Sequence, residues 1–317
     1  MNGLGLGLIP KKREDVDNRD LLYSVLFSVK RYSDKVILDA RQVLDQRAFG
    51  TCVVFAIVAA LNRFFRRLMS PLMIYRFTKE IDSFPGQEGT TPQWGLKALI
   101  KKGTVPEEEY PYSNYEKALE FPEITKDLEC LAEDYKIDAY VKITTKEELI
   151  DHLMHGQGAV AGLMVGLKSL FNPDILPNGD AVIDVPGLVP NDTVAGHAVY
   201  VLGADCKMTH THSKSGITRT GYAKFVNSWG TGKSRREFGT GEEIVWSETG
   251  HGWIPFDYLF GTMYAPDGSQ TPYVNEIFVP LKDIPFDIQK IDPGNTNIAP
   301  YIKNDRTLVP LRFIGEA

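Results

Sequence analysis

The chain has only three cysteines in 317 residues. They are too few and too scattered for a disulfide framework, and suit a reducing compartment or an extracellular protein that needs none. It has no surplus of positive charge: 35 basic side chains against 41 acidic ones leave a net charge of −6. Generic binding to nucleic acid or to an anionic membrane needs a basic face, so neither is expected. No apolar run reaches about 18 residues, and no transmembrane helix is expected. Residues 1–12 lack a leading basic region and a long apolar core, so they do not read as a signal peptide, and the cytoplasm is the default compartment. There is no internal repeat and no low-complexity tract. What is present is ordinary for a globular protein. With 43% hydrophobic and 24% charged residues, a sizeable core is within reach.

One stretch organises the rest. Gln46-Arg47-Ala48-Phe49-Gly50-Thr51-Cys52 leads directly into an apolar run over 53–61. That run is too long for a strand and predicts a buried helix with Cys52 in its first turn and Thr51 as its N-cap. A helix N-terminus carries roughly half a positive charge and favours a thiolate over a thiol. Gly50 lets a backbone or substrate approach the sulfur. Taken alone, a cysteine in an apolar helix is more often a small buried hydrophobe.

The first half reads as largely helical. After the helix at Cys52, Ser70-Pro71 opens a second helix to residue 81, and a third spans 93–102, stopped by Gly103. The second half changes character. Strands are expected over 135–143, 159–165, 196–203, 223–227, 244–246 and 274–280, with a helix over 146–155. Helices first and strands second predict an α+β protein of two lobes, with a ligand cleft between them. Four segments follow: an arm over 1–35, the main domain over 36–284, a linker over 285–300 and a short tail over 301–317.

A cysteine nucleophile needs a base and a group that orients it. Of six histidines, His152 and His155 are expected on a solvated helix face. His210 and His212 fall in a polar stretch read as an exposed loop. An H-x-H pair can ligate a metal, but no third ligand is implied, so neither metal nor cofactor is expected. His197 differs, because it heads the apolar strand Gly196-His197-Ala198-Val199. A buried ring there needs a partner or a task. Asn227, in Asn227-Ser228-Trp229-Gly230, either makes a turn or accepts from that imidazole and fixes its tautomer. Trp229 either shields that bond or is a core tryptophan.

The order Gln46, Cys52, His197, Asn227 resembles the papain-like cysteine peptidases. Four blocks carry the likeness: Gln46 to Phe55, Gly196 to Gly203, Val226 to Gly230, and Gly250-His251-Gly252-Trp253 with Pro255 and Tyr258, where His251 takes the usual tyrosine position. The likeness covers roughly residues 36–282. It implies a helical N-terminal lobe and an antiparallel β-rich C-terminal lobe around the active-site cleft. It also implies roles. Cys52 attacks the scissile carbonyl, His197 pairs with it and protonates the leaving amine, and Asn227 orients His197. Gln46 and the Cys52 backbone N–H form the oxyanion hole; Gly89 and Trp229 lie along the substrate. The partner is then a peptide or protein substrate. A transamidase or isopeptidase could use the same residues, and a papain-fold binding module without turnover could keep them.

There are departures from the family pattern. Val53 replaces an aromatic residue, and Phe49 stands where the family has a cysteine. Cys130 and Cys206 are expected as free thiols. His197 follows Cys52 within the expected spacing of about 130–150 residues, but Asn227 lies beyond it. A surface loop over 208–222 would account for the excess. The arm, with Gly7-Leu8-Ile9-Pro10 and Arg19-Asp20, resembles the short leader of bacterial members, and it either crosses the cleft or packs on the back of the domain. If it crosses, deleting residues 1–20 is expected to raise activity. The tail Pro300-Tyr301-Ile302-Lys303-Asn304-Asp305-Arg306-Thr307 resembles the start of a copper amine oxidase N-terminal-like stalk module, which would associate the chain with a cell surface or particle without implying copper.

Overall fold

The computed structural model describes residues 6–15, 20–27, 29, 32–39, 42–185, 194–232, 234–236, 243–261, 273–282, 301–303 and 306–308. Three helices gather in the first half: Cys52–Phe65, Pro71–Ile81 and Pro92–Lys101. The first is apolar nearly all round and has nine buried residues, so it runs through the core. The second starts where Ser70 caps the Met73 N–H at 3.0 Å and Pro71 fills the first turn, whose N–H is not needed.

The second half forms one large sheet. Its order is Ala139–Ile143, Glu276–Leu281, Ala159–Gly166, Val194–Thr211, Thr218–Val226, His251–Pro255, Ala181–Val182, Asp174–Ile175. Lys35–Ile37 pairs with Val194–Thr211 towards its outer end. Every pairing in this sheet is antiparallel except His251–Pro255 with Ala181–Val182.

The period of two along the central strands splits the molecule into two cores. Val160, Ala198, Tyr200, Leu202 and Val226 pack with the helices. Their neighbours Ala159, Ala161, Val199, Val201 and Phe225 face the other way, with Trp229, Trp246 and Tyr258. Ala159–Gly166 is buried at all eight positions because both its faces are covered. The fold is therefore α+β and two-lobed, as the pattern of elements predicts.

Boundaries shift where propensity and pairing part. The strand expected over 135–143 begins only at Ala139, where pairing with Leu281 starts. Residues 208–222 are not a loop. The strand continues through Thr211 and returns from Thr218, with hydroxyl pairs Thr209–Thr220 at 2.9 Å and Thr211–Thr218 at 2.8 Å. Alternating threonines across a twisted ribbon favour extension despite their polarity. The excess length before Asn227 thus lies in a longer hairpin. His152 is buried, not solvated: it sits edge-on to Tyr23 at 5.7 Å. His212 is buried as well. In the tail, Tyr301–Lys303 pairs antiparallel with Arg306–Leu308; the expected linker over 285–300 lies outside the described residues.

Candidate active site

Cys52 is the first residue of its helix and is fully buried. Thr51 does not cap it with its side chain; its hydroxyl bonds the Tyr112 hydroxyl at 2.7 Å instead. The Gly50 N–H donates to Glu88 at 2.6 Å, which fixes the turn ahead of the sulfur.

His197 comes from the long central strand and Asn227 from the end of its hairpin partner. Their side chains meet at 2.8 Å, His197 Nε2 to Asn227 Oδ1. The same oxygen accepts the Ser228 N–H at 2.8 Å, so the amide orientation is set from two sides. An acceptor at Nε2 makes that nitrogen the donor and leaves Nδ1 with its lone pair. Nδ1 is buried without a hydrogen-bond partner. Trp229 lies over the imidazole at 5.1 Å and stacks on Phe171, shielding the His–Asn bond from water. Gln46 joins the same group. Its N–H donates to the Ser228 carbonyl at 2.8 Å, its Oε1 accepts the Ser228 hydroxyl at 2.5 Å, and its Nε2 donates to the Phe49 carbonyl at 2.7 Å. The Ala198 backbone acts on the Cys52 sulfur, which brings the strand of His197 against the helix of Cys52.

The cleft is occupied by the chain's own arm. The Gly7 N–H donates to Cys52 Sγ at 3.3 Å. Thr90 N–H donates to the Gly7 carbonyl at 2.8 Å, and Ile9 N–H to the Thr90 carbonyl at 2.9 Å. Leu8 fills the space over Gly162 and Gly196. The approach depends on absent side chains: a Cβ on Gly89 would stand 2.5 Å from the Gly7 carbonyl oxygen, and one on Gly7 would stand 1.7 Å from that of Gly50. Lys11 anchors the far end on Gln93 and, at 3.4 Å, on buried Glu276.

This cover sets the electrostatics. Burial pushes the Cys52 thiol up to about 11, although backbone N–H groups of Gly7, Ala198, Leu8 and Val53 pull it down. Burial also pushes His197 down to about 4, against the Asn227 bond. Near neutral pH both groups are therefore uncharged, contrary to the thiolate expected from the helix terminus. Removing water costs the charged forms more than one helix end returns.

A pH effect on stability follows. His197 and His152 are both held by burial at about 4, below the usual 6.5. The unfolded chain takes up those protons first, so stability falls as pH drops from about 6.5 towards 4. Glu107, raised by burial to about 7, acts in the opposite sense, but one carboxyl opposes two imidazoles. Urea unfolding is expected to give a stability lower by on the order of a few kcal/mol at pH 4.5 than at pH 7. Equal values would contradict the neutral burial of both rings.

The structure thus brings Gln46, Cys52, His197, Asn227 and Trp229 into one region, with Gly89 beside the arm. His155, His210, His212 and His251 have their hydrogen-bond or ion-pair partners in other parts of the fold. Cys130 is exposed and Cys206 half-buried, both as free thiols. Sequence reasoning missed Glu88 and Leu8. The short G-x-x-P element around Leu8 was the available signal; Glu88, in a loop rich in glycine and proline, gave none.

No protein-family model matches the sequence, and no curated protein matches it. Solved structures do. Xylellain, a cysteine protease from Xylella fastidiosa, is 25% identical, with a TM-score of 0.62 over 88% of this chain and 96% of that one. Digestive procathepsin L 3 of Tenebrio molitor is 16% identical, with a TM-score of 0.52 over 86% of this chain and 75% of that one. The cysteine protease and lectin-like domains of Cwp84, a surface layer associated protein of Clostridium difficile, are 14% identical, with a TM-score of 0.55 over 87% of this chain and 55% of that one. The chain has the papain-like fold of these cysteine proteases.

Proposed function

We propose that the chain is a cysteine peptidase that hydrolyses peptide bonds with Cys52 as nucleophile, held closed by its own arm. The bond between His197 Nε2 and Asn227 Oδ1 carries this reading. It leaves Nδ1 as the basic nitrogen, on a strand that abuts the Cys52 sulfur. With the arm lifted, water re-enters and the desolvation that keeps both groups neutral is relieved. The proton then passes from Sγ to Nδ1, and the thiolate attacks the carbonyl. The oxyanion that forms is received by the Cys52 backbone N–H and by the Gln46 amide, which turns from the Phe49 carbonyl. His197 next protonates the leaving amine, water attacks the thioester, and Cys52 is regenerated. Trp229 keeps the His–Asn bond dry, Gly89 leaves room for the substrate backbone, and the Thr90 backbone that bonds Gly7 and Ile9 offers it the same groups.

A peptide library incubated with the chain lacking residues 1–10 tests the reading. Cleavage is expected, and Gln46→Ala is expected to lower kcat by about 10²–10³. Turnover that transfers acyl groups to amines and hydrolyses none would favour a transamidase. Tight peptide binding without turnover in the arm-deleted chain would favour a binding module.

A further inference from the structure

The hairpin that bears His197 and leads to Asn227 carries a second cluster at its other end. His210 lies on the strand Val194–Thr211 and His212 just past its end, two residues on. Their rings lie 5.1 Å apart. Asp174, on the edge strand Asp174–Ile175, meets them: its Oδ2 is 2.8 Å from His210 Nε2. One donor atom from each of Asp174, His210 and His212 lies within 4.8 Å of the other two, the one such group of three among the described residues.

A second observation points to a ligand. His212 is 1% exposed, and its Nδ1 has no hydrogen-bond partner. Asp184 is 4% exposed, and its Oδ2 has none. His212 Nδ1 stands 3.8 Å from Asp184 Oδ1, too far for a hydrogen bond and close enough for both to face one cation. Native interiors rarely leave two adjacent polar atoms unsatisfied.

The surroundings fix the ligands as metal sites do. The Tyr222 hydroxyl lies 3.2 Å from His212 Nε2, so that nitrogen has a partner and Nδ1 is the one left without. Ser213 orients Asp174 through its N–H at 2.9 Å and through its hydroxyl. Arg219, across the hairpin from His210, directs its charge to Asp257. Two carboxylates balance the charge of a dication.

We infer that Asp174, His210 and His212, backed by Asp184, bind a divalent transition-metal cation of the zinc class. Imidazole nitrogen and carboxylate oxygen are the donors such ions take. The ion would clamp the hairpin to the Asp174–Ile175 edge strand, a structural role independent of the peptidase reading.

The test uses the full chain carrying Cys52→Ala, so that no ion is held at the candidate active site. Zn²⁺ is titrated in competition with a chromophoric chelator, and Co²⁺ absorbance reports the ligand field. One equivalent is expected, with a Tm rise that EDTA reverses. Asp174→Asn and His210→Gln alter partly buried groups outside the hydrophobic core; each is expected to weaken Zn²⁺ binding tenfold or more. No uptake by the parent chain overturns the assignment. So does uptake of undiminished affinity in both variants, which means adventitious binding elsewhere.

Discussion

Cys52→Ala is expected to abolish peptide cleavage, by at least about 10⁴-fold in kcat. The argument is chemical before it is structural. A thiolate forms the thioester that divides hydrolysis into two easier steps, and a methyl group cannot. The substitution is also clean. Cys52 is fully buried at the start of a helix, and alanine is the best helix former. The loss is one sulfur atom and the acceptor for the Gly7 N–H. The variant therefore folds, and its thermal unfolding shows that inactivity is not collapse. His197→Ala is expected to give a loss of similar size, because nucleophile and base act as one unit. Asn227→Ala is expected to cost less, since it frees the ring to rotate without removing the base. Cleavage that survives Cys52→Ala would end the proposal.

Deleting residues 1–10 is expected to raise the alkylation rate of Cys52 at pH 7 by about 100-fold. In the closed chain burial holds the thiol at about 11, against an ordinary 9. Each unit of pKa is a factor of ten in thiolate at a pH below both, so restoring even the ordinary value gives about 100-fold. The Cys52–His197 ion pair would add to it. The cut at residue 10 matters. The longer deletion of residues 1–20 would remove buried Asp20, which accepts from Gln93 and, at 3.2 Å, from Tyr140. It would also free the chain just before Tyr23, whose hydroxyl donates to buried Asp151 at 2.7 Å. Such a deletion mixes opening with unfolding. Gly7→Ala offers the same opening with no residue removed, because its Cβ would overlap the Gly50 carbonyl. Unchanged alkylation in both proteins would mean that the arm does not govern the thiol.

Much of this was legible in the sequence. The helix at Cys52 was, because an unbroken apolar run cannot be a strand of ordinary length. The bond between His197 and Asn227 was foreseeable because a polar ring on a buried strand needs an acceptor. What the sequence hid depended on pairing between distant segments. The threonine-rich stretch before Tyr222 looks like a loop until its two halves face each other. His212 looks exposed until Asp184 and Tyr222 close over it. The state of Cys52 was misread for a like reason. Local helix polarity argues for a thiolate, whereas the deciding effect is desolvation by an arm 45 residues upstream. Gly7 and Leu8 carry no charge and no motif of their own strength. Their effect comes from where the fold lays them.

The most direct test of a thiol–imidazole pair under an arm is selective alkylation. The chain lacking residues 1–10 is treated with a limiting dose of iodoacetamide at mildly acidic pH, the label is mapped by mass spectrometry, and peptide-library cleavage is followed on the same sample. Label on Cys52 ahead of exposed Cys130 and half-buried Cys206, with cleavage lost in proportion, is the predicted result. Label spread over Cys130 and Cys206 with Cys52 spared, or cleavage that persists once Cys52 is modified, would contradict it.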